Sequence, residues 1–190
     1  MTRLFALAAL LVALPATAQD SFVVEDVETF SGGMMGGSGP FTLLSLRDGA
    51  VVVAGADEVR ADSASAAWDL GLRGTEVILN GGASGPGGVT GALVGQPFEA
   101  ITALPDTLAA DGETECPRGA ARVVCHGSGN GWYLYADNGV QPLPDTTLVV
   151  VRPDGTAAKV RFVRYALGEA GRDARIPRYV TLEVAPLAAE

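Results

Sequence analysis

Alternating apolar and polar positions mark the last third of the chain as β-structure. Within residues 156–165, apolar side chains share one face of the predicted strand and basic side chains share the other: Ala158, Val160 and Phe162 against Lys159 and Arg161. The tetrapeptide "RPDG" at 152–155 separates this strand from the apolar run 147–151. Proline fixes the φ that an early turn position needs, and glycine tolerates a positive φ at its end. The pattern predicts a β-hairpin.

Two further segments carry the same kind of signal. Residues 41–46 and 51–53 flank a turn centred on Asp48-Gly49, which predicts a second hairpin. Residues 178–184 alternate again and predict a late strand that turns three apolar side chains inward: Val180, Leu182 and Val184. Short strands separated by frequent turn signals are typical of an all-β domain, and we find no internal repeat and no second domain.

Helix and loop signals are few. Residues 98–110 are the best candidate for a helix, which Pro105 would end early. The stretch 30–40, "FSGGMMGGSGP", is too rich in glycine for a strand or a helix and predicts a mobile loop. Residues 168–177 are interpreted as a polar connector between late strands.

The segment 68–88, "WDLGLRGTEVILNGGASGPGG", begins like a buried strand and ends in small, turn-forming residues. We expect Trp68 to anchor the strand in the core and Asp69 to bind a neighbouring backbone. Asn80-Gly81-Gly82 begins a turn in which positive φ costs little. The glycine run lacks the Lys and the following helix of a phosphate-binding loop or a dinucleotide fingerprint.

The first residues resemble a secretory signal peptide. A basic start precedes an apolar run over residues 4–14 and an A-x-A site that ends at Ala18. We expect cleavage near Ala18, a soluble periplasmic or secreted protein, and no transmembrane segment, because no run approaches the roughly 20 residues of a spanning helix. The predicted organisation is a signal peptide (1–18), an N-terminal segment with the glycine-rich loop (19–40) and a β domain (41–190).

The balance of charge narrows the choice of partner. The chain has 13 basic and 22 acidic residues, for a net charge of −9, so nucleic acid is not an expected partner. Basic residues are frequent after residue 150. Such a basic part on an acidic body could orient an anionic ligand, although solvated strand faces explain the pattern as well.

The two cysteines, Cys116 and Cys125, are most simply a disulfide in an exported chain. A zinc site is the competing interpretation, but the C-x-x-C spacing and the further His or Cys ligands are missing.

Catalytic constellations are scarce because the chain has one histidine, His126. No serine lies in a G-x-S-x-G motif, and the acidic residues have no triad spacing, so the protein is not expected to be an enzyme. The remaining class is a binding protein. His126 lies in "CHGSGNGWYLY", next to the aromatic residues Trp132, Tyr133 and Tyr135, and an imidazole in such surroundings can ligate haem iron. Taken alone, a single histidine is more often a surface or hydrogen-bonded loop residue.

Met34 and Met35 lie together in the glycine-rich loop. Their thioethers are candidate soft ligands for haem iron or copper, although methionine more often fills gaps in a core.

Three blocks in order resemble the HmuY family of haem-binding proteins: the segment 68–88, "GWYLY" at 131–135, and the hairpin "TTLVVVRPDGTAAKVRFVRYA" with its closing "RYVTLEV". With the hairpin at 41–53, the resemblance extends from about residue 40 to residue 185. It implies a mostly β, antiparallel domain of hand-like shape with little helix, which binds haem and passes it to a TonB-dependent outer-membrane receptor.

The sequence departs from the resemblance at the iron ligands. Well-known members hold the iron between two histidines or methionines, whereas His126 supplies at most one such ligand here, and Met34 or Met35 supplies a second only if the loop folds over the haem. The leading hypothesis is an exported, non-catalytic haem-binding protein that acquires or delivers haem, with His126, Met34, Met35, Trp132 and Tyr133 as candidate binding residues. Two alternatives stay open: a structural or interaction domain of the same fold that has lost haem binding, and a periplasmic metal-binding protein that uses Met34, Met35 and His126.

Overall fold

The computed structural model describes residues 21–29, 39–53, 64–168 and 178–188. The predicted signal peptide, Met34 and Met35, and nearly all of the connector 168–177 lie outside these residues. Within them the chain forms eleven strands: β1 (Phe22–Thr29), β2 (Thr42–Leu44), β3 (Val51–Val53), β4 (Leu70–Arg73), β5 (Glu76–Leu79), β6 (Thr90–Val94), β7 (Tyr133–Ala136), β8 (Gly139–Pro142), β9 (Thr147–Val151), β10 (Ala157–Leu167) and β11 (Arg178–Leu187).

The strands form three antiparallel sheets. The largest has the order β1-β11-β10-β9-β6, the second has the order β3-β2-β4-β5, and the third is the β7–β8 hairpin. Apolar side chains from all three sheets meet in one core with Trp132, which directly precedes β7; Leu70, Leu79, Trp132, Leu148 and Leu182 are each at most 1% exposed. The prediction of a mostly β, antiparallel domain with little helix is confirmed. Among the described residues, no helix is long and apolar enough to cross a membrane.

Both predicted hairpins are present. β9 pairs with β10 across the "RPDG" turn, in which the Arg152 amide donates to the Thr156 carbonyl at 2.9 Å. β2 pairs with β3 across the predicted turn at residues 47–50. The predicted inward faces are also confirmed, because the named side chains of β10 and β11 are all at most 6% exposed: Ala158, Val160, Phe162, Val180, Leu182 and Val184.

A β-bulge at Val163 interrupts the alternation of β10. Phe162 pairs with Leu182 and Arg164 pairs with Thr181, so one extra residue lies on the β10 side. A bulge of this kind shifts all later side chains to the opposite face. Tyr165 therefore takes the face of Val180, with which it pairs.

The predicted helix over 98–110 is wrong beyond its first turn. Only Phe98–Ala100 forms a 3₁₀ turn, and Ile101 already has extended backbone. Phe98 and Ile101 are buried, and the ammonium of Lys159 binds both of their carbonyl oxygens at 2.8 and 2.9 Å. The terminal carbonyls are satisfied by this strand side chain, so no further helical turn is needed to pair them.

The glycine-rich part of 68–88 packs against its own strand. The amide group of buried Asn80 donates to the Ser65 and Trp68 carbonyls and accepts from the Gly87 amide. A Cβ atom on Gly81 would lie 2.0 Å from the Val89 carbonyl oxygen, so a side chain cannot fit there without a backbone shift. Gly82 has φ +55°, as the predicted turn requires. The glycines thus allow the loop to pack closely against the backbone of its own strand.

Two buried carboxylates tie segments of backbone together. Asp69 Oδ2 accepts from the Leu46 amide at 2.8 Å, which confirms its predicted role, and its Oδ1 lies 3.0 Å from Arg152 Nε. Asp111, 1% exposed, accepts from the amides of Leu79 and Val123, at 3.0 and 2.9 Å. Asp111 thereby fixes the end of β5 against residue 123, which lies within the loop that the two cysteines close.

Candidate functional site

A pocket of about 540 Å³ opens where the three sheets meet. Its walls come from the β4–β5 turn, the loop after Cys125, the β7–β8 hairpin and the adjoining ends of β10 and β11. This volume is typical of small-molecule sites, which span roughly 300–1,000 Å³. The lining includes the charged, aromatic and hydroxyl side chains of Arg73, Thr75, Glu76, His126, Tyr133, Tyr135, Tyr165 and Arg178.

His126 presents its imidazole on the wall of this pocket. Its Nε2 lies 3.3 Å from the hydroxyl oxygen of Thr75, in the β4–β5 turn. Within the part of the chain that the structure describes, Nδ1 has no hydrogen-bond partner, so this nitrogen is free to bind a ligand or a metal once the Nε2–H donates to Thr75.

The loop that carries His126 is held at both ends. Cys116 and Cys125 form the predicted disulfide, which fixes the residue directly before His126. At the other end, a Cβ on Gly131 would lie 2.2 Å from the Cys125 carbonyl oxygen, so the two ends of the loop approach each other more closely than an alanine allows. Between them, the Gly129 amide donates to the Tyr133 carbonyl at 2.9 Å. His126 is thus presented from a short, restrained loop.

Trp132 lies behind the pocket wall, in the core. It is 1% exposed and stacks on Phe162 with ring centroids 4.2 Å apart. Its indole N–H donates to the Thr75 carbonyl at 3.0 Å. Because the hydroxyl of the same threonine contacts His126, Trp132 links the core to the imidazole through one residue.

Three tyrosines give the pocket its flat walls. Tyr133 is 6% exposed and packs against Trp132 at 5.1 Å between ring centroids. Tyr165 is half-buried and lies 6.2 Å from the same indole ring. Burial raises the pKa of Tyr165, and the nearby charge of Arg178 offsets part of that rise. Tyr135 is 60% exposed and lies at the rim.

The charged side chains of the pocket differ in how they are paired. Arg73 binds Glu76 at 2.7 Å, donates to the Gly39 carbonyl at 3.2 Å and lies 4.3 Å from the centre of the Phe41 ring. Arg178 has no ion-pair or hydrogen-bond partner for its guanidinium among residues 21–29, 39–53, 64–168 and 178–188. Among the described residues, the lining therefore holds one neutralised ion pair, Arg73–Glu76, and one arginine without an ion-pair partner, Arg178.

The structure brings together some of the residues proposed from the sequence and adds others. His126 and Tyr133 line the pocket, Trp132 lies directly behind it, and Met34 and Met35 lie outside the described residues. Sequence reasoning missed Tyr165 and Arg178 because the bulge and the strand pairing that bring them to the pocket leave little trace in the alternation. One signal for the bulge was present in the sequence. Unbroken alternation after Phe162 would place the charged side chain of Arg164 in the core, so an inserted residue is indicated before it.

Metal sites with several protein ligands find no support in the described residues, which contain no group of three His, Cys, Asp or Glu side chains that could hold a metal ion. A haem needs fewer protein ligands, because the porphyrin supplies the four equatorial nitrogens and the protein adds one or two axial ones.

Comparison with known proteins gives distant structural similarities. No family model matches the sequence, and no curated protein matches it. An apo HmuY analog from Tannerella forsythia is 14% identical with a TM-score of 0.40, and covers 90% of this chain and 100% of its own. A HmuY-like protein from Bacteroides vulgatus, described as a candidate haem-binding protein, is 15% identical with a TM-score of 0.42, and covers 76% and 84%. A candidate lipoprotein from Bacteroides fragilis is 20% identical with a TM-score of 0.40, and covers 76% and 83%. At this distance no site residue is carried over from any of the three.

Proposed function

We propose that the protein binds haem in the pocket, with the His126 imidazole as an axial ligand of the iron. One observation carries the proposal: the single histidine of the chain lines a 540 Å³ pocket together with three tyrosines. Imidazole is the commonest axial haem ligand, and flat aromatic side chains pack well against a porphyrin.

The residues present fit this group. His126 has an imidazole nitrogen without a partner among the described residues, and the contact with Thr75 orients the ring through the other nitrogen. Histidine ligands of metals are usually oriented in this way by a second hydrogen bond. The hydroxyl of Tyr133 lines the pocket and has no hydrogen-bond partner within the described part of the chain, so it is available to a ligand.

The wider role is proposed from the sequence. The signal-like first 18 residues and the resemblance to the HmuY family support an exported, non-catalytic protein of the periplasm or the medium. In this role haem is the cargo, and a TonB-dependent outer-membrane receptor is the proposed recipient. Met34 or Met35 is the proposed second axial ligand.

Titration of the purified mature chain with haemin tests the binding proposal. We expect a saturable Soret change at micromolar haemin with the spectrum of a nitrogen-ligated iron. His126→Ala and the more conservative His126→Gln are expected to lose that spectrum, whereas Gln141→Ala, which changes another pocket side chain, is expected to keep it. If haemin gives the same spectrum with wild type and with both His126 variants, His126 is not the iron ligand. A wild-type chain without any Soret change refutes the proposed function.

The contact between His126 and Thr75 also suits a loop histidine with a purely structural role, which favours an interaction domain without haem as the second candidate. In that case haemin leaves the spectrum unchanged, and His126→Gln lowers the free energy of unfolding.

A further inference from the structure

Arg178 lines the pocket described above without an ion-pair partner among the described residues, and its position follows from the strand pairing. Its backbone lies between β1 and β10, where Thr29 and Leu167 are its cross-strand partners. The hydroxyl of buried Thr29 donates to the Arg178 carbonyl at 3.1 Å. The residue is therefore fixed on a central strand with paired neighbours on both sides.

The direction of the side chain follows from the alternation. Arg178 lies two residues before Val180, which is fully buried, so both take the same face of β11. Tyr165 takes this face as well, because of the bulge at Val163. The strand leaves the apolar core at this end, and Arg178 is the next inward position, where it lines the pocket.

The guanidinium of Arg178 lies in the pocket without a counter-ion from the described residues. The protein has a net charge of −9, yet Glu76, the one carboxylate that the described residues contribute to the pocket lining, is already paired with Arg73. A half-buried guanidinium beside tyrosine rings loses part of its hydration and gains no counter-ion from the described residues. A carboxylate on the ligand would supply the missing counter-ion. It would also replace the lost hydrogen bonds to water with charge-assisted ones, which a guanidinium can form in pairs.

We propose that Arg178 binds a carboxylate of the ligand and makes the pocket selective for carboxylate-bearing planar ligands. This inference rests on the proposed function and specifies it: a porphyrin with free carboxylates is bound in preference to the same porphyrin with esterified carboxylates. Arg178 is a specificity-determining residue in this scheme, and His126 binds the iron independently of it.

Haemin and haemin dimethyl ester separate these contributions when both are titrated in the same buffer with a mild detergent. The ester keeps the iron and the ring but lacks the carboxylate charges. We expect wild type to bind haemin about five- to tenfold more tightly than the ester, between the effect of an exposed ion pair and that of a charged hydrogen bond. Arg178→Ala is expected to weaken haemin by about the same factor and to leave ester binding unchanged.

Two further variants test whether the charge at this position causes the preference. Arg178→Lys keeps the charge and should retain part of the preference, whereas Arg118→Ala removes an exposed arginine outside the pocket and should change neither affinity. Circular dichroism confirms that each variant is folded.

The possible outcomes are distinct. Equal affinities of wild type for haemin and ester overturn the inference while the proposed function stands. An Arg178→Ala variant that loses both ligands equally also overturns it, because the role is then structural. Binding of neither ligand by wild type refutes the proposed function and the inference with it.

Discussion

Replacement of Asp111 by alanine should remove much of the stability of the fold. The Asp111 carboxylate is 1% exposed and accepts hydrogen bonds from the Leu79 amide, the Val123 amide and the Ser84 hydroxyl, at 3.0, 2.9 and 2.6 Å. These donors belong to β5, to the segment before Cys125 and to the glycine-rich end of the segment 68–88. In Asp111→Ala the two backbone amides lose their acceptor inside the protein.

The magnitude follows from the number of donors left without a partner. Each buried donor without an acceptor costs about 1–3 kcal/mol, so the two amides together cost about 4 kcal/mol. Arg122, 3.8 Å from the carboxylate and partly exposed, adds little. A domain of this size has roughly 5–15 kcal/mol of stability, so the loss is a large fraction of it. Asp111→Asn keeps one acceptor oxygen, and about half of the loss is expected.

Urea unfolding of the oxidised protein, followed by tryptophan fluorescence, measures the effect, because Trp68 and Trp132 are both buried. Asp106→Ala is the matched control: the same substitution at an exposed aspartate should change the free energy of unfolding by no more than about 0.5 kcal/mol. A loss below about 1 kcal/mol in Asp111→Ala, with unchanged dependence on urea, would refute the reasoning about unpaired amides.

Two further predictions concern the pocket. In the double variant Cys116→Ser/Cys125→Ser, loss of the cross-link should lower the free energy of unfolding by roughly 2–3 kcal/mol, which urea unfolding measures. Because His126 follows Cys125 directly, the variant should also bind haemin more weakly, which haemin titration measures. Since burial raises the pKa of Tyr165, the folded protein favours the neutral phenol over the phenolate. The stability that results from this preference is complete below the ordinary pKa of tyrosine and is lost as the pH rises through the higher pKa of the folded state. Alkaline titration by ultraviolet absorbance should therefore show Tyr165 ionising above its ordinary range.

Each of these has a clear contrary result. The disulfide prediction fails if the double variant binds haemin as wild type does, since the loop would then hold His126 without the cross-link. For the tyrosine, Tyr165→Phe should remove a late phenolate step from the titration. Four tyrosines that all ionise near the ordinary pKa would show that burial does not act on this phenol.

The sequence predicted the fold wherever side chains alternate without interruption. The inward faces of β10 and β11 and both hairpins follow from that pattern. β1 was missed, because its register changes between Val24 and Val27 and half of its side chains are exposed. The helix predicted over 98–110 failed because Lys159, which is remote in sequence, binds the carbonyl groups at its start.

The candidate site was accessible to sequence reasoning only in part. His126 was identified by its uniqueness, and Tyr133 by its place in an aromatic cluster; both line the pocket. Trp132, from the same cluster, was also predicted to bind the ligand, but it lies in the core. Alternation along the chain does not distinguish an aromatic ring in the core from one that lines the pocket. Arg178 is brought to the pocket by pairing between strands, which no local pattern specifies. Tyr165 is brought there by one inserted residue, which only the position of Arg164 in the alternation indicates.

The place of β11 in the large sheet has a consequence for the order of folding during synthesis. β11 lies between β1 and β10, so β1 (Phe22–Thr29), the first strand among the described residues, has no partner in this sheet until Arg178–Leu187 emerges from the ribosome. Contacts between positions so distant in sequence make folding slow. The large sheet therefore cannot be completed before residues 178–187 have been synthesised, and the edge of β1 stays unpaired until then.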